Sequence, residues 1–174
     1  RAVTPLLPIS PAPSTHQLGT YGAPNRDPRH QSVAIVYWGV TRQGDIQAES
    51  SSLHPVPAAT WASEEFRFAF DHRLIANDAL TALRQAMNNT SAATQLCEAH
   101  FTMSELQHVY EITFGTKIAA GNFHRKISNT PGFITPTDRQ IQEPNKKGRP
   151  AQHFESTEIV NISPPFQFQT KSNR

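Results

Sequence analysis

Between Lys117 and Arg149 the sequence carries seven cationic side chains, Lys117, Arg125, Lys126, Arg139, Lys146, Lys147 and Arg149, opposed only by Asp138 and Glu143. A cluster of this kind suits a polyanion, because each lysine or arginine set against a nucleic-acid phosphate releases condensed counterions. Part of the cluster has a helical period. Asn122, Arg125, Lys126 and Asn129 fall at i, i+3, i+4 and i+7 and share one face, while Phe123 and Ile127 share another. His124 sits among them. Arginine and asparagine are the side chains that make paired hydrogen bonds to guanine and adenine edges in the DNA major groove. A second pair of forks, Arg26 and Arg29, lies in the turn-rich loop YGAPNRDPR. The residues support two readings equally: a bidentate clamp on a pyrophosphate, or pairing with Asp27 or with a dimer partner.

Other reactive types point nowhere. Glu64-Glu65 is the only adjacent acidic pair and reads as a solvated turn or helix start. The eight histidines show no close-set ligand spacing, and the single Cys97 cannot complete a zinc site. No catalytic residue and no metal site is therefore expected. One cysteine also excludes an internal disulfide and fits a reducing cytosol, so a cytoplasmic protein is expected. The longest apolar run, Val33 to Val40, falls well short of the ~20 residues of a membrane span. A signal peptide is not expected either, and the start at Arg1 suggests a fragment of a longer chain.

At 174 residues, 37% of them hydrophobic, the chain suits one domain or two small ones. Its net charge of +2 implies no partner by itself. Up to Cys97 seven basic residues balance seven acidic ones, so all the positive excess belongs to the second half.

The elements that must position these side chains follow from period and punctuation. Residues 1–17, with prolines at 5, 8, 11 and 13, read as an irregular lead-in. Ser32 to Val40 reads as a strand buried on both faces, a second strand begins at Ile46, and a third lies near Trp61. Asp71 is expected to cap a helix over His72 to Met87. A linker or short helix then leads to Cys97. In the second half, Thr102 and Glu105 have capping-box spacing, and Gly115 stands where a left-handed helix end belongs. After a turn from Thr116 to Ala119, a shorter helix runs from Ala120 to Asn129 and stops at Pro131-Gly132. Phe133 to Thr135 and Ala151 to Phe154 read as strands joined by the basic loop Pro136 to Pro150. Helix, turn, helix and a hairpin with a basic loop is the order of a winged helix, whose second helix enters the major groove while the wing reaches the backbone or minor groove. Winged helices also serve as protein-binding modules, and that reading predicts no salt-dependent DNA binding.

The stretch FTMSELQHVYEITFGTKIAAGNFHRKI, with GRPAQHF after the wing, resembles the C-terminal domain of the NrtR family, Nudix-related transcriptional regulators of NAD metabolism. The motifs are Glu105-Leu106-Gln107 with Val109-Tyr110-Glu111, Asn122-Phe123 with Arg125-Lys126, and Gly148-Arg149-Pro150-Ala151. LGTYGAPNRDPRHQSVAIVYWGV and Phe70-Asp71-His72 are similar to the later part of the family's Nudix-like domain. His124 departs from the pattern, standing where the family has an arginine. The Nudix box, a glycine, an Arg-Glu and paired glutamates that hold Mg²⁺, appears nowhere between Arg1 and Arg174.

The resemblance implies an α+β chain: residues 1–97 as the C-terminal part of a Nudix-like effector domain and 98–156 as a winged helix; residues 157–174, outside the resemblance, are expected to be a polar tail. It implies a repressor of NAD biosynthesis or salvage genes, a homodimer on a palindromic operator in double-stranded DNA, with ADP-ribose or a similar nucleotide as effector. The expected DNA-binding set is Lys117, Asn122, His124, Arg125, Lys126, Asn129, Arg139, Lys146, Lys147 and Arg149, and Arg26 and Arg29 are the candidate ligand-binding pair. No cofactor is expected in this chain; Mg²⁺ would enter only with an upstream Nudix box. The alternative is an ADP-ribose pyrophosphatase whose catalytic box lies upstream.

Overall fold

The computed structural model describes residues 15–41, 56, 65–141, 151–156 and 158–168. The chain divides between Leu80 and Thr81 into two compact units.

In the first unit, β1 (Thr15–Tyr21) pairs antiparallel with β2 (Ala34–Gly39), Tyr21 opposite Ala34 and Thr15 opposite Gly39, with a bulge between Gln17 and Gly19. The lead-in expected over 1–17 therefore already contains the first residues of a strand. Thr-His-Gln-Leu-Gly-Thr-Tyr has no apolar alternation to announce one, and it is a strand because β2 offers it a backbone partner. The expectation that β2 is buried on both faces is corrected. Ile35 and Tyr37 are 61% and 60% exposed, whereas Ala34, Val36 and Trp38 are half-buried. Successive side chains leave a strand on opposite sides, and the described part of this ribbon covers only one of them. The strands expected from Ile46 and near Trp61 lie outside the described residues. α1 (His72–Asn89) begins after Asp71, whose carbonyl accepts from the amides of Leu74 and Ile75.

The second unit takes in the last turns of α1, a 3₁₀ turn (Ser91–Leu96), β3 (Phe101–Thr102), α2 (Met103–Phe114), α3 (Ala120–Ser128), β4 (Thr135–Ile141) and β5 (Ala151–Glu155). Its sheet has the order β3-β5-β4, antiparallel throughout. The capping box forms: Thr102 Oγ1 accepts from the Glu105 amide at 3.2 Å, and Glu105 Oε2 accepts from the Thr102 amide at 2.7 Å. Gly115 closes α2 in the left-handed region, φ 64°. β4 starts later than expected. Phe133 belongs to the turn before it, its amide donating to the Thr130 carbonyl and its ring fully buried.

The core gathers around Tyr110, which is fully buried and donates its hydroxyl to the Met87 carbonyl at 3.0 Å, tying α2 to the end of α1. Burial pushes its pKa up, so the phenol stays a donor.

The segment expected to be a polar tail is a further correction. Residues 158–168 form a strap that delivers Ile162 and Phe166 into the core, 5% and 7% exposed. It is held by backbone hydrogen bonds from Ser91 to the Val160 carbonyl, from Ile162 to the Asn89 carbonyl and from Phe166 to the Asn88 carbonyl, at 2.9, 2.7 and 2.8 Å. The Asn88 side chain adds two more, accepting from the Phe168 amide and donating to its carbonyl. Its apolar residues follow neither a helical nor a strand period, and so the composition alone reads as polar.

Candidate nucleic-acid interface

α3 is held by two anchors. Phe123 and Ile127 are fully buried, and the Phe123 ring meets Tyr110 edge-on at 5.3 Å. Opposite them, Asn122, His124, Arg125 and Asn129 are exposed. Arg125 donates from Nη2 to Asn122 Oδ1 at 3.1 Å, so the two form one polar unit on the helix surface. A guanidinium braced on one side keeps further donors, and such a fork suits the paired acceptors of a guanine edge.

Lys126 departs from the expectation that it shares the open face. It is half-buried on the flank of α3, its Nζ 4.9 Å from the centre of the Phe168 ring and 5.6 Å from that of Phe166. A lysine so placed is attracted to the ring faces.

One carboxylate fastens the turn between α2 and α3. Glu111 reaches from α2 into the turn, where Oε1 accepts from the Ile118 amide at 3.0 Å and from Gln107 Nε2 at 3.2 Å. Its Oε2 accepts from Lys117 Nζ at 2.8 Å. Gln107 Nε2 also donates to the Ile118 carbonyl at 2.9 Å. The Ile118 amide, Lys117 and Gln107 together hold the Glu111 pKa down to about 2. Lys117 itself is 89% exposed and keeps its other donors. Residue reading alone missed Glu111 and Gln107 as the fastening of the turn, although both lie in motifs that carry the resemblance. A glutamate seven residues before the turn amide it accepts from is not a local capping pattern, so spacing gave no signal.

The wing is described in part. β4 and β5 pair from Thr135 opposite Glu155 to Ile141 opposite Ala151. Lys146, Lys147 and Arg149, and the side chain of Arg139, lie outside the described residues.

In the first unit the structure does not bring Arg26 and Arg29 together as free forks. Arg26 is 11% exposed and grips Asp71 from Nε at 2.7 Å and from Nη2 at 3.0 Å, with Nη1 on Ser32 Oγ at 3.2 Å. Arg29, 67% exposed, pairs with Asp27 through Nε and Nη2 at 2.9 and 2.8 Å and lies 5.0 Å over the Phe70 ring. Each arginine lowers the pKa of its carboxylate, that of Asp27 well below the usual range.

Residues 93–155 match the family model of the NrtR DNA-binding winged helix domain. The chain is 28% identical over 132 residues to the ADPR responsive transcriptional repressor NtrR of Acinetobacter baylyi, a match covering 74% of this chain and 51% of that protein. It thus spans about half the length of that curated relative. Among solved structures, it is similar to Shewanella oneidensis NrtR complexed with a 27mer DNA, with TM-score 0.69 and 27% identity over 83% of this chain and 65% of that one. It also shares the fold of a MutT/nudix family protein from Enterococcus faecalis, with TM-score 0.60 and 18% identity over 83% of this chain and 62% of that one. Its mixed helix and sheet architecture is that of these neighbours. Residues 93–155 thus match the NrtR DNA-binding winged helix domain, and the chain as a whole is similar to the NrtR regulators.

Proposed function

We propose that this chain is part of a DNA-binding transcriptional repressor that responds to ADP-ribose and, as the resemblance implies, controls genes of NAD biosynthesis or salvage. The observation that carries the reading is α3: an exposed Asn122–Arg125–Asn129 face standing on the buried anchors Phe123 and Ile127, within a helix-turn-helix and hairpin order. A short helix of this kind fits a groove ~12 Å wide with its polar face on base edges. Asn122, His124, Arg125 and Asn129 are assigned to the groove, Lys117 to backbone phosphate, and Arg139, Lys146, Lys147 and Arg149 to the wing's contact with phosphate or minor groove.

In this reading the protein acts as a homodimer on a palindromic operator, because a single winged helix makes few phosphate contacts and two recognition helices about 34 Å apart span one DNA turn. ADP-ribose acts as an effector bound by the Nudix-like part, and the chain works as a regulator rather than a hydrolase. The name of the Acinetobacter baylyi relative supports the effector. Both forks are engaged, so its phosphates would have to displace Asp27 from the exposed Arg29 or Asp71 from the less exposed Arg26.

The test is an electrophoretic shift of the protein on duplex DNA from upstream of NAD genes, with and without ADP-ribose. A shift that ADP-ribose diminishes is expected. Failure to shift any duplex at low salt would remove the DNA-binding reading, and a shift indifferent to ADP-ribose would remove the effector.

A further inference from the structure

We infer that Lys126 is a positioning residue of the DNA-binding surface, which locks the C-terminal strap onto the recognition helix, and not a reader of bases or phosphates. The inference rests on the DNA-binding reading of α3 and adds a segment to it, since the strap lies beyond residues 93–155 of the family match.

Three observations converge. First, Lys126 Nζ lies within cation–π distance of two rings at once, 4.9 Å from Phe168 and 5.6 Å from Phe166. Its neighbours Arg125, on the same helix, and Asn129, at the helix C-cap, are exposed while Lys126 is half-buried. Second, those rings belong to the core that supports the helix. Phe168 packs 5.0 Å from Tyr110 and 6.0 Å from Phe123, and Phe166 stacks on Phe133 at 5.8 Å. Third, the strap is fastened at its other side to the end of α1 through Asn88, Asn89 and Ser91. Lys126 is thus, beside the buried Phe123, a point at which α3 grips a segment anchored elsewhere in the fold. An ammonium committed to two ring faces keeps the helix at a fixed rotation about its axis, and rotation decides which side chains meet base edges. A lysine that instead reached for phosphate would leave the rings and contribute to counterion release.

The experiment is a thermodynamic cycle on the full chain. Affinity for an operator duplex is measured as a function of salt for wild type, Lys126→Gln, Lys126→Arg, Phe168→Leu and Lys126→Gln/Phe168→Leu, with thermal unfolding of each. Leucine keeps an apolar side chain in the core while removing the ring. Expected are a loss of roughly two- to tenfold for each single change, a double variant no weaker than either single one, restored affinity in Lys126→Arg, and an unchanged salt slope in Lys126→Gln. Losses that multiply in the double variant would overturn the inference. So would a Lys126→Gln slope lower by about one, the signature of a phosphate no longer neutralised. That slope decides the matter even if Phe168→Leu fails to fold. If wild type binds no DNA, the reading of α3 falls and the inference with it; wild-type binding with multiplicative losses removes the inference alone.

Discussion

At the scale of single residues, the site separates side chains that a helical period treats alike. Arg125 is exposed and braced by Asn122, whereas Lys126, one position on, lies against aromatic rings. Arg125→Ala is therefore expected to cost about 1–3 kcal/mol of operator binding and to relax preference at one base position. Lys146→Ala and Lys147→Ala are expected to weaken binding on every duplex and to lower the salt slope by about one unit for each phosphate left without its cation. Fluorescence anisotropy on operator and scrambled duplexes distinguishes the two patterns. Glu111 gives a prediction in pH. Its carboxyl is held near 2 against an ordinary value of 4.5, so the folded state favours the ionised form. The stability it contributes is fully present above about pH 4.5 and is lost as pH falls toward 2. Chemical unfolding of wild type and Glu111→Gln from neutral to acidic pH should show a wild-type advantage at neutral pH that closes across this window. A difference that stays constant with pH would mean that the carboxylate does not hold the turn.

Among elements, what the sequence shows depends on how local the cause is. The capping box at Thr102 and Glu105 and the left-handed Gly115 are legible because each needs only residues within one helical turn. Thr102→Ala should cost about 1 kcal/mol in denaturant unfolding, since it leaves a first-turn amide without its acceptor. An unchanged midpoint would show that the cap contributes nothing. The recognition helix is equally legible, for Phe123 and Ile127 at i, i+4 define its buried side, and it ends at Ser128, shortly before Pro131-Gly132. Elements that exist through distant partners are not. β1 is a polar heptapeptide that becomes a strand only against β2. The strap has apolar residues at irregular intervals, and its meaning comes from Asn88, Asn89 and Ser91, 67 to 80 residues earlier in the chain. Arg26 likewise finds Asp71, 45 residues away, where sequence proximity offers Asp27. The helices and the caps of α2, with the open face of α3, could be read from local pattern. Lys126's place, the fastening of the turn by Glu111 and the occupation of both arginine forks required the fold.

On the scale of the whole molecule, the proposal joins an effector to a DNA surface through linkage. A ligand shifts an equilibrium only by its different affinity for two states, so ADP-ribose weakens DNA binding only by favouring a form whose recognition helices fit the operator less well. By reciprocity, operator DNA must weaken ADP-ribose binding by the same factor. Calorimetry of ADP-ribose binding with and without operator should return that factor, and equal affinities would remove the coupling. The central claim, that α3 reads double-stranded DNA, is tested most directly by the salt dependence of affinity for operator and scrambled duplexes, measured on wild type and Arg125→Ala. Expected of a helix that reads DNA are a linear fall of log affinity with log salt on both duplexes, a wild-type preference for the operator, and loss of most of that preference in Arg125→Ala with little change of slope. Equal affinity for both duplexes in wild type, or an Arg125→Ala variant that keeps the full preference, would contradict the claim.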